Sequence, residues 1–480
     1  MIAVGDHGTV GRSSRIGVAV LARPTFDVPF AREMAASAWQ RLGELGHELI
    51  GSPELILDAD GLGAATTALS EEPLDALVLV QATFADASLA AAIADASPAP
   101  LLLWAIPEAR TGGRLRLNSF CGINLAGYRL TREGRRYRFL YRHPGDATTS
   151  EAIATLLGAP LPALPAVSEP PSVELATAEA AAAADDVRAR LGDATVGIVG
   201  ERPTGFEPCD YDATLLAETT GVTAQAATLA ELFALAEAAP ADAARRVRER
   251  VAADLAGVDD VDPEGLDRSL RLHLGLRQLI DARGWSGVAT RCWPECFTEF
   301  GGACCTPHSL LNDDGVPGCC EADAYGTVTS LVLQWLGHGP AFIADLVDLD
   351  RRDGTGVLWH CGVAPLAMAN PSVPARATIH PNRHEPLLNE FALRPGRVTI
   401  SRLSQSRRLS RLTIGGGEML DSPLPYTGTA GVIRFDRPVD DVMETIMTEG
   451  HEHHYGIVYG DVRPQLRALA AQLRLPVIEL

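Results

Sequence analysis

Short apolar runs without polar alternation recur along the first two-thirds of the chain, each followed by a segment whose apolar residues stand three and four apart. RIGVAVLA at 15–22, DALVLVQ at 75–81, LLLWAI at 101–106 and TVGIVG at 195–200 are runs of this kind. A strand that reads as continuously apolar is covered on both faces, which happens in parallel sheets flanked by helices. The intervening helical rhythm, from about Val28 to Leu45 and in the Ala-rich segment at about 86–97, supplies that cover. Strand and helix in alternation predict a doubly wound α/β sheet.

At 480 residues the chain is too long for one ordinary core, and roughly 150 residues per domain suggests about three units. GAPLPALPAVSEPP at 158–171 has the proline density of an extended connector. A second α/β unit then opens with an Ala-rich helix from about Val173 to Leu191 and ends near SGVATRCW. From about Leu346 the pattern changes: VLWHCGVA, RATIH, RVTISRLS, RLTIGGG and GVIRFD are short strands set apart by Gly and Pro. The expected organisation is an N-terminal Rossmann-like α/β domain at 1–165, a middle α/β domain at 166–345 and a mainly antiparallel β-rich domain at 346–480.

A net charge of −20 argues against nucleic-acid or anionic membrane partners, because affinity for phosphate comes from Lys and Arg. No apolar run reaches membrane-spanning length. The start MIAVGDHGTVGRSSR reads as disordered and lacks a basic segment leading into an apolar one, so a cytoplasmic protein is expected. Seven of nine cysteines fall between Cys292 and Cys361, including the adjacent pairs Cys304-Cys305 and Cys319-Cys320. Their spacing suits buried reduced thiols better than a disulfide framework or a zinc knuckle. GIVGERPTG at 197–205 has neither the dinucleotide spacing nor a Walker lysine, and reads as a turn after a strand.

Chemistry concentrates in two places. RCWPECFTEFGGACCTPHSLLNDDGVPGCCEAD at 291–323 carries Glu295, Glu299, Glu321 and Asp323, the last two opening an apolar helix. A carboxylate pair there is favoured by the helix dipole but costly to bury without a counter-charge. Downstream, His451, Glu452, His453 and His454 precede the apolar strand GIVYG, and His360 follows another. Carboxylates with imidazole suit Mn, Fe or Zn better than Ca.

CWPE at 292–295, SLLNDDGVPGCCEADAYG at 309–326, HCGVAP at 360–365, HHYGIVYGDV at 453–462 and, less specifically, GIVGERPTGFEPCDYD at 197–212 resemble the L-fucose and L-arabinose isomerase superfamily, in its shorter fucose-isomerase-like members. The resemblance implies Mn(II) held by two carboxylates and a histidine, and conversion of an aldose to its ketose through an ene-diol. The substrate class would be L-fucose, L-arabinose or a related pentose or deoxyhexose. Carried over by motif, Asp323 and His454 are ligands. The second carboxylate is Glu295, with Glu299 and Glu321 as alternatives, and Glu295 and Asp323 share the acid–base work. Glu321, His360, His453, Arg15, Gln81 and Trp104, with Phe84, are candidate substrate contacts. The resemblance also implies a hexameric or trimer-based homo-oligomer, in which a neighbouring first domain helps cover the site. A noncatalytic sugar-binding protein on the same fold, or a related epimerase or lyase, is the alternative.

Overall fold

A computed structural model describes residues 14–480; the expected disordered start lies outside that range apart from its last two residues. β1 (Arg15–Leu21), β2 (Glu48–Ile56), β3 (Ala76–Gln81), β4 (Leu101–Ala105) and β5 (Tyr137–Tyr141) form a parallel sheet in the order β2-β1-β3-β4-β5. One face of the central strands, with Val18, Val80 and Trp104, packs on the helices Val28–Gly43 and Thr149–Gly158. The other, with Leu77, Leu79 and Leu103, packs with Ile93 and Phe120 of the helices Ala87–Asp95 and Ser119–Arg132. Cover on both faces is why these strands carry no polar alternation.

β6 (Thr195–Val199), β7 (Thr223–Ala227), β8 (Gly287–Thr290) and β9 (Gly318–Cys319) form a second parallel sheet in the order β7-β6-β8-β9. The connector at 159–172 holds no helix or strand. The Ala-rich helix begins later than expected, at Ala178–Asp193, because the Thr177 side chain accepts from the Ala180 N–H and caps it there.

The third sheet has the order β12-β13-β16-β11-β10-β17-β14-β15-β18 and is mostly antiparallel. Its strands are β10 (Phe342–Asp350), β11 (Thr355–His360), β12 (Arg376–Ile379), β13 (Pro386–Ala392), β14 (Gly396–Ser404), β15 (Arg411–Met419), β16 (Thr429–Phe435), β17 (His454–Tyr459) and β18 (Val477–Glu479). β13·β16 and β15·β18 are its parallel pairs. The expected division at 345/346 falls inside β10, and the helices Val439–Glu449 and Arg463–Leu473 sit in the region read as β-rich. No helix among the described residues is long and apolar enough to cross a membrane.

Topology locates the site. In an open parallel sheet, a crevice opens beyond the strand carboxyl ends where the strand order reverses. In the first sheet that point lies between β1 and β3, and in the second between β6 and β8. Arg23 follows β1, Phe84 follows β3, Phe206 follows β6, Trp293 follows β8 and Glu321 follows β9; all five line one cavity.

The fold also buries neutral histidines. Burial pushes His273 down to about 4 and His308 to about 3. Below about pH 6.5 the unfolded chain takes up protons that these folded side chains refuse, so stability falls with pH. Near pH 5 each costs about 2 kcal/mol. Denaturant titrations at pH 7 and pH 5 should show that drop, and His273→Leu should remove its share.

Candidate functional site

Glu321 sits in the turn between β9 and the helix Ala324–Gly337. Glu321 and Ala322 have φ of 62° and 55°, the left-handed region that non-glycine residues rarely occupy. Strain of this kind persists where surrounding contacts over-determine it, and functional sites are where it clusters. Here the contacts converge on the carboxylate: Trp293 Nε1 donates to Oε1 at 3.2 Å, His453 Nε2 stands 3.1 Å from Oε2 and Cys209 Sγ 3.7 Å from it.

His454 opens β17 directly opposite Asp345 of β10 in the antiparallel ladder. Its Nε2 lies 3.5 Å from Glu321 Oε2 and 3.5 Å from Asp345 Oδ1. Its Nδ1 is 2.8 Å from Asp323 Oδ2. A ring N–H given to Asp323 fixes Nδ1 as the donor and turns Nε2 toward the two other carboxylates.

Asp323 is held on every side. Its Oδ1 accepts from the Gly326 N–H at 2.8 Å, capping the helix Ala324–Gly337. Arg402 of β14 binds it through both terminal nitrogens, at 2.5 and 3.0 Å, and both side chains are only 1% exposed. Position 326 has to be glycine for this packing, since a Cβ there would lie 2.5 Å from Asp323 Oδ2.

Burial favours neutral carboxyls, yet hydrogen bonding from His453 and the charge of His454 hold Glu321 down to about 2. Asp323 is lowered too, burial being outweighed by Arg402 and His454. Asp345 goes the other way: burial dominates and raises it to about 7. Burial lowers His360 to about 3 and His453 to about 4. Burial opposes a charge on His454 as well, but Asp323, Glu321 and Asp345 raise it.

Among the described residues two donor groups have the closeness of a metal site, Cys209–Glu321–His453–His454 and Asp345–His360–His454, and His454 belongs to both. Asp345 Oδ1 and His454 Nε2 are buried without a hydrogen-bond partner. Buried lone pairs left unmatched are costly. Two carboxylates and an imidazole brought this close fit a divalent ion of the Mn, Fe or Zn type.

Of the other expected residues, His360 and His453 join these groups and the rest do not. Glu295 is paired with Arg291, four residues back, at 2.6 Å and belongs to neither donor group. Glu299 is exposed. Asp323 touches His454 through Nδ1 only, so it braces that imidazole and joins neither donor group. His360 and His453 line the cavity. His451 is buried apart from it, stacked on Tyr455 at 5.2 Å. Arg15 stands at the opposite end of β1, bound to Glu48 and Glu72. Gln81 is fully buried, and Trp104 gives its Nε1–H to the Arg142 carbonyl at 2.9 Å. The wall from the first sheet is instead Arg23, Phe26 and Phe84 of this same chain. Asp345 was missed in sequence; the signal was one carboxylate inside FIADL, an apolar strand start. Because Glu295 is spent on Arg291 outside the donor groups, Glu295→Gln should change kcat/KM by less than about fivefold, as steady-state assays will show.

Residues 17–159 match the family model described as Fucose/sulfoquinovose isomerase, N-terminal domain, and residues 389–480 match L-fucose isomerase, C-terminal domain. A sulfoquinovose isomerase of Alkalicoccus urumqiensis is 30% identical over 429 residues, 89% of this chain and 90% of that protein. Those of Priestia aryabhattai and Clostridium sp. (strain MSTE9) are 27% and 29% identical over 456 residues each, covering 95% and 94% of this chain and 96% of either relative.

Proposed function

The chain belongs to the fucose isomerase-like superfamily and is an aldose–ketose isomerase, and on that footing we propose that it converts sulfoquinovose to its ketose with a divalent ion held by Glu321, Asp345 and His454. The observation that carries the site is the His454 imidazole, its Nδ1 fixed by Asp323 and its unpartnered Nε2 3.5 Å from a carboxylate on either side. The substrate reading rests on the relatives, each named for sulfoquinovose. Mn(II) is the ion we expect, and a homo-oligomer, hexameric or trimer-based, in the cytoplasm is the expected setting.

The bound ion supplies Lewis-acid polarisation of the open-chain carbonyl. Both carboxylates line the cavity, but the oxygens of Glu321 already face donors from Trp293, Cys209 and His453, whereas Asp345 Oδ1 accepts none. Asp345 is therefore our choice for the base that takes the proton from C2 and returns it to C1. His360 accepts the Cys361 N–H at Nδ1, which leaves Nε2 to carry the ring proton. That N–H beside Asp345 and His454 is placed to move the hydroxyl proton between O2 and O1. The aromatic walls, Phe84, Phe206 and Trp293, keep water from the ene-diol.

The test is proton exchange. Metal-stripped protein with sulfoquinovose in deuterated water, with and without Mn(II), should form ketose with solvent deuterium at C1 only when the metal is present, as followed by NMR. Binding of the sugar without exchange would favour a noncatalytic sugar-binding protein. Inversion at C2 without ketose would favour an epimerase.

A further inference from the structure

The cavity has a cationic end as well as an anionic one. Trp293 joins them: its Nε1 donates to Glu321, while the guanidinium of Arg383 lies 4.7 Å from the centre of its ring. Arg23 lies 4.6 Å from the same ring. The two arginines are not equivalent. Arg23 is ion-paired with Asp86. Arg383 is half-buried, lines the cavity and, among the described residues, makes no ion pair or side-chain hydrogen bond; its guanidinium lies against the Trp293 and Phe297 rings.

Arg383 stands in the turn between β12 and β13, and that turn is well braced. His380 N and His384 N close it through the Glu385 and His380 carbonyls, and His380 Nδ1 accepts the Asn382 N–H. Arg114, from the N-terminal region, donates to Asn382 Oδ1 at 2.7 Å and to the Thr25 carbonyl at 2.8 Å. A guanidinium held in place against an aromatic face, with its five donors unspent, is built for a planar or trigonal oxyanion.

We propose that Arg383 is the specificity-determining residue of this isomerase and binds the sulfonate at C6 of the sugar, with Trp293, which stacks on the guanidinium and donates to Glu321, holding the cationic end of the cavity against the carboxylate–imidazole cluster. This rests on the substrate reading above. One cavity holds both ends: Arg383 and Asp345 line it together, so C1 and C2 would meet Asp345 and His454 while C6, the carbon farthest from them, faces the arginine. A neutral sugar would leave the guanidinium without its counter-charge, which turns an attractive contact into discrimination. Arg23, already neutralised by Asp86, would add hydrogen bonding without setting the charge preference.

The experiment compares kcat/KM for sulfoquinovose with that for 6-deoxy-D-glucose, which has a methyl hydrogen where sulfoquinovose has the sulfonate. It uses the full-length Mn(II)-loaded wild type, Arg383→Gln and Arg383→Lys. We expect Arg383→Gln to lose at least about thirtyfold on sulfoquinovose, mostly in KM, while its value for the deoxy sugar holds within about twofold. Arg383→Lys should recover part of the preference, because the charge stays and the bidentate geometry goes. Unchanged preference in Arg383→Gln, or equal losses on both sugars, would overturn the assignment. Failure of the wild type to isomerise sulfoquinovose would instead strike the substrate reading on which it rests.

Discussion

Replacing Asp345 with Asn should lower kcat/KM by about a thousandfold or more and weaken Mn(II) binding, while the protein stays folded. The isosteric amide keeps the shape of a side chain that accepts no hydrogen bond at Oδ1. It removes the buried charge whose desolvation already raises this carboxyl to about 7, so stability should hold or rise slightly. What disappears is one anionic ligand and the base in a single step. Loss of a charge-stabilised transition state is worth several kcal/mol, and each 1.36 kcal/mol is tenfold in rate. Glu321→Gln should be comparably inactive but less stable, because its carboxylate receives His453 and Trp293 and is held ionised. Isothermal titration with Mn(II) and steady-state kinetics on both variants separate ligand loss from base loss. An Asp345→Asn enzyme with near wild-type turnover would remove Asp345 from the mechanism.

The contrast between Asp345 and Glu295 explains how far the sequence could be read. Strands buried on both faces, such as β3 and β4, were visible because burial leaves an unbroken apolar run. β2 and β7 were not: they lie at sheet edges, with half-exposed residues and small side chains. Glu321, Asp323, His453 and His454 stood out because charge next to apolar helix and strand has to be compensated. Asp345 has the same property, yet its strand was hidden by a division drawn through it, and its partner His454 lies over a hundred positions away. Cross-strand pairing is set by register, which single-chain patterning does not reveal at that separation. Glu295 attracted attention through its motif, although Arg291 four residues earlier already offered a plain partner. The left-handed backbone at Glu321 and Ala322 had no sequence signal, since neither residue type favours it.

Breaking the Asp323–Arg402 pair should be the costliest change to stability. With both side chains 1% exposed, Arg402→Met strands a carboxylate in the interior and should cost about 3–5 kcal/mol. Asp323→Asn strands the guanidinium instead, at a similar cost, although the amide oxygen can still cap the helix through the Gly326 N–H. The double variant Asp323→Asn/Arg402→Met removes both charges at once. Since a buried pair repays little more than its own desolvation, that protein should recover most of the stability lost by either single change. It should not recover function in step. Asn accepts the His454 N–H more weakly than a carboxylate does, which lowers the basicity of the imidazole, and metal affinity should stay about 10–100-fold below wild type. Denaturant midpoints and Mn(II) titrations on the three variants would therefore part company: stability regained and affinity still impaired in the double variant. If affinity returned along with stability, Asp323 would serve the fold alone and not the orientation of His454.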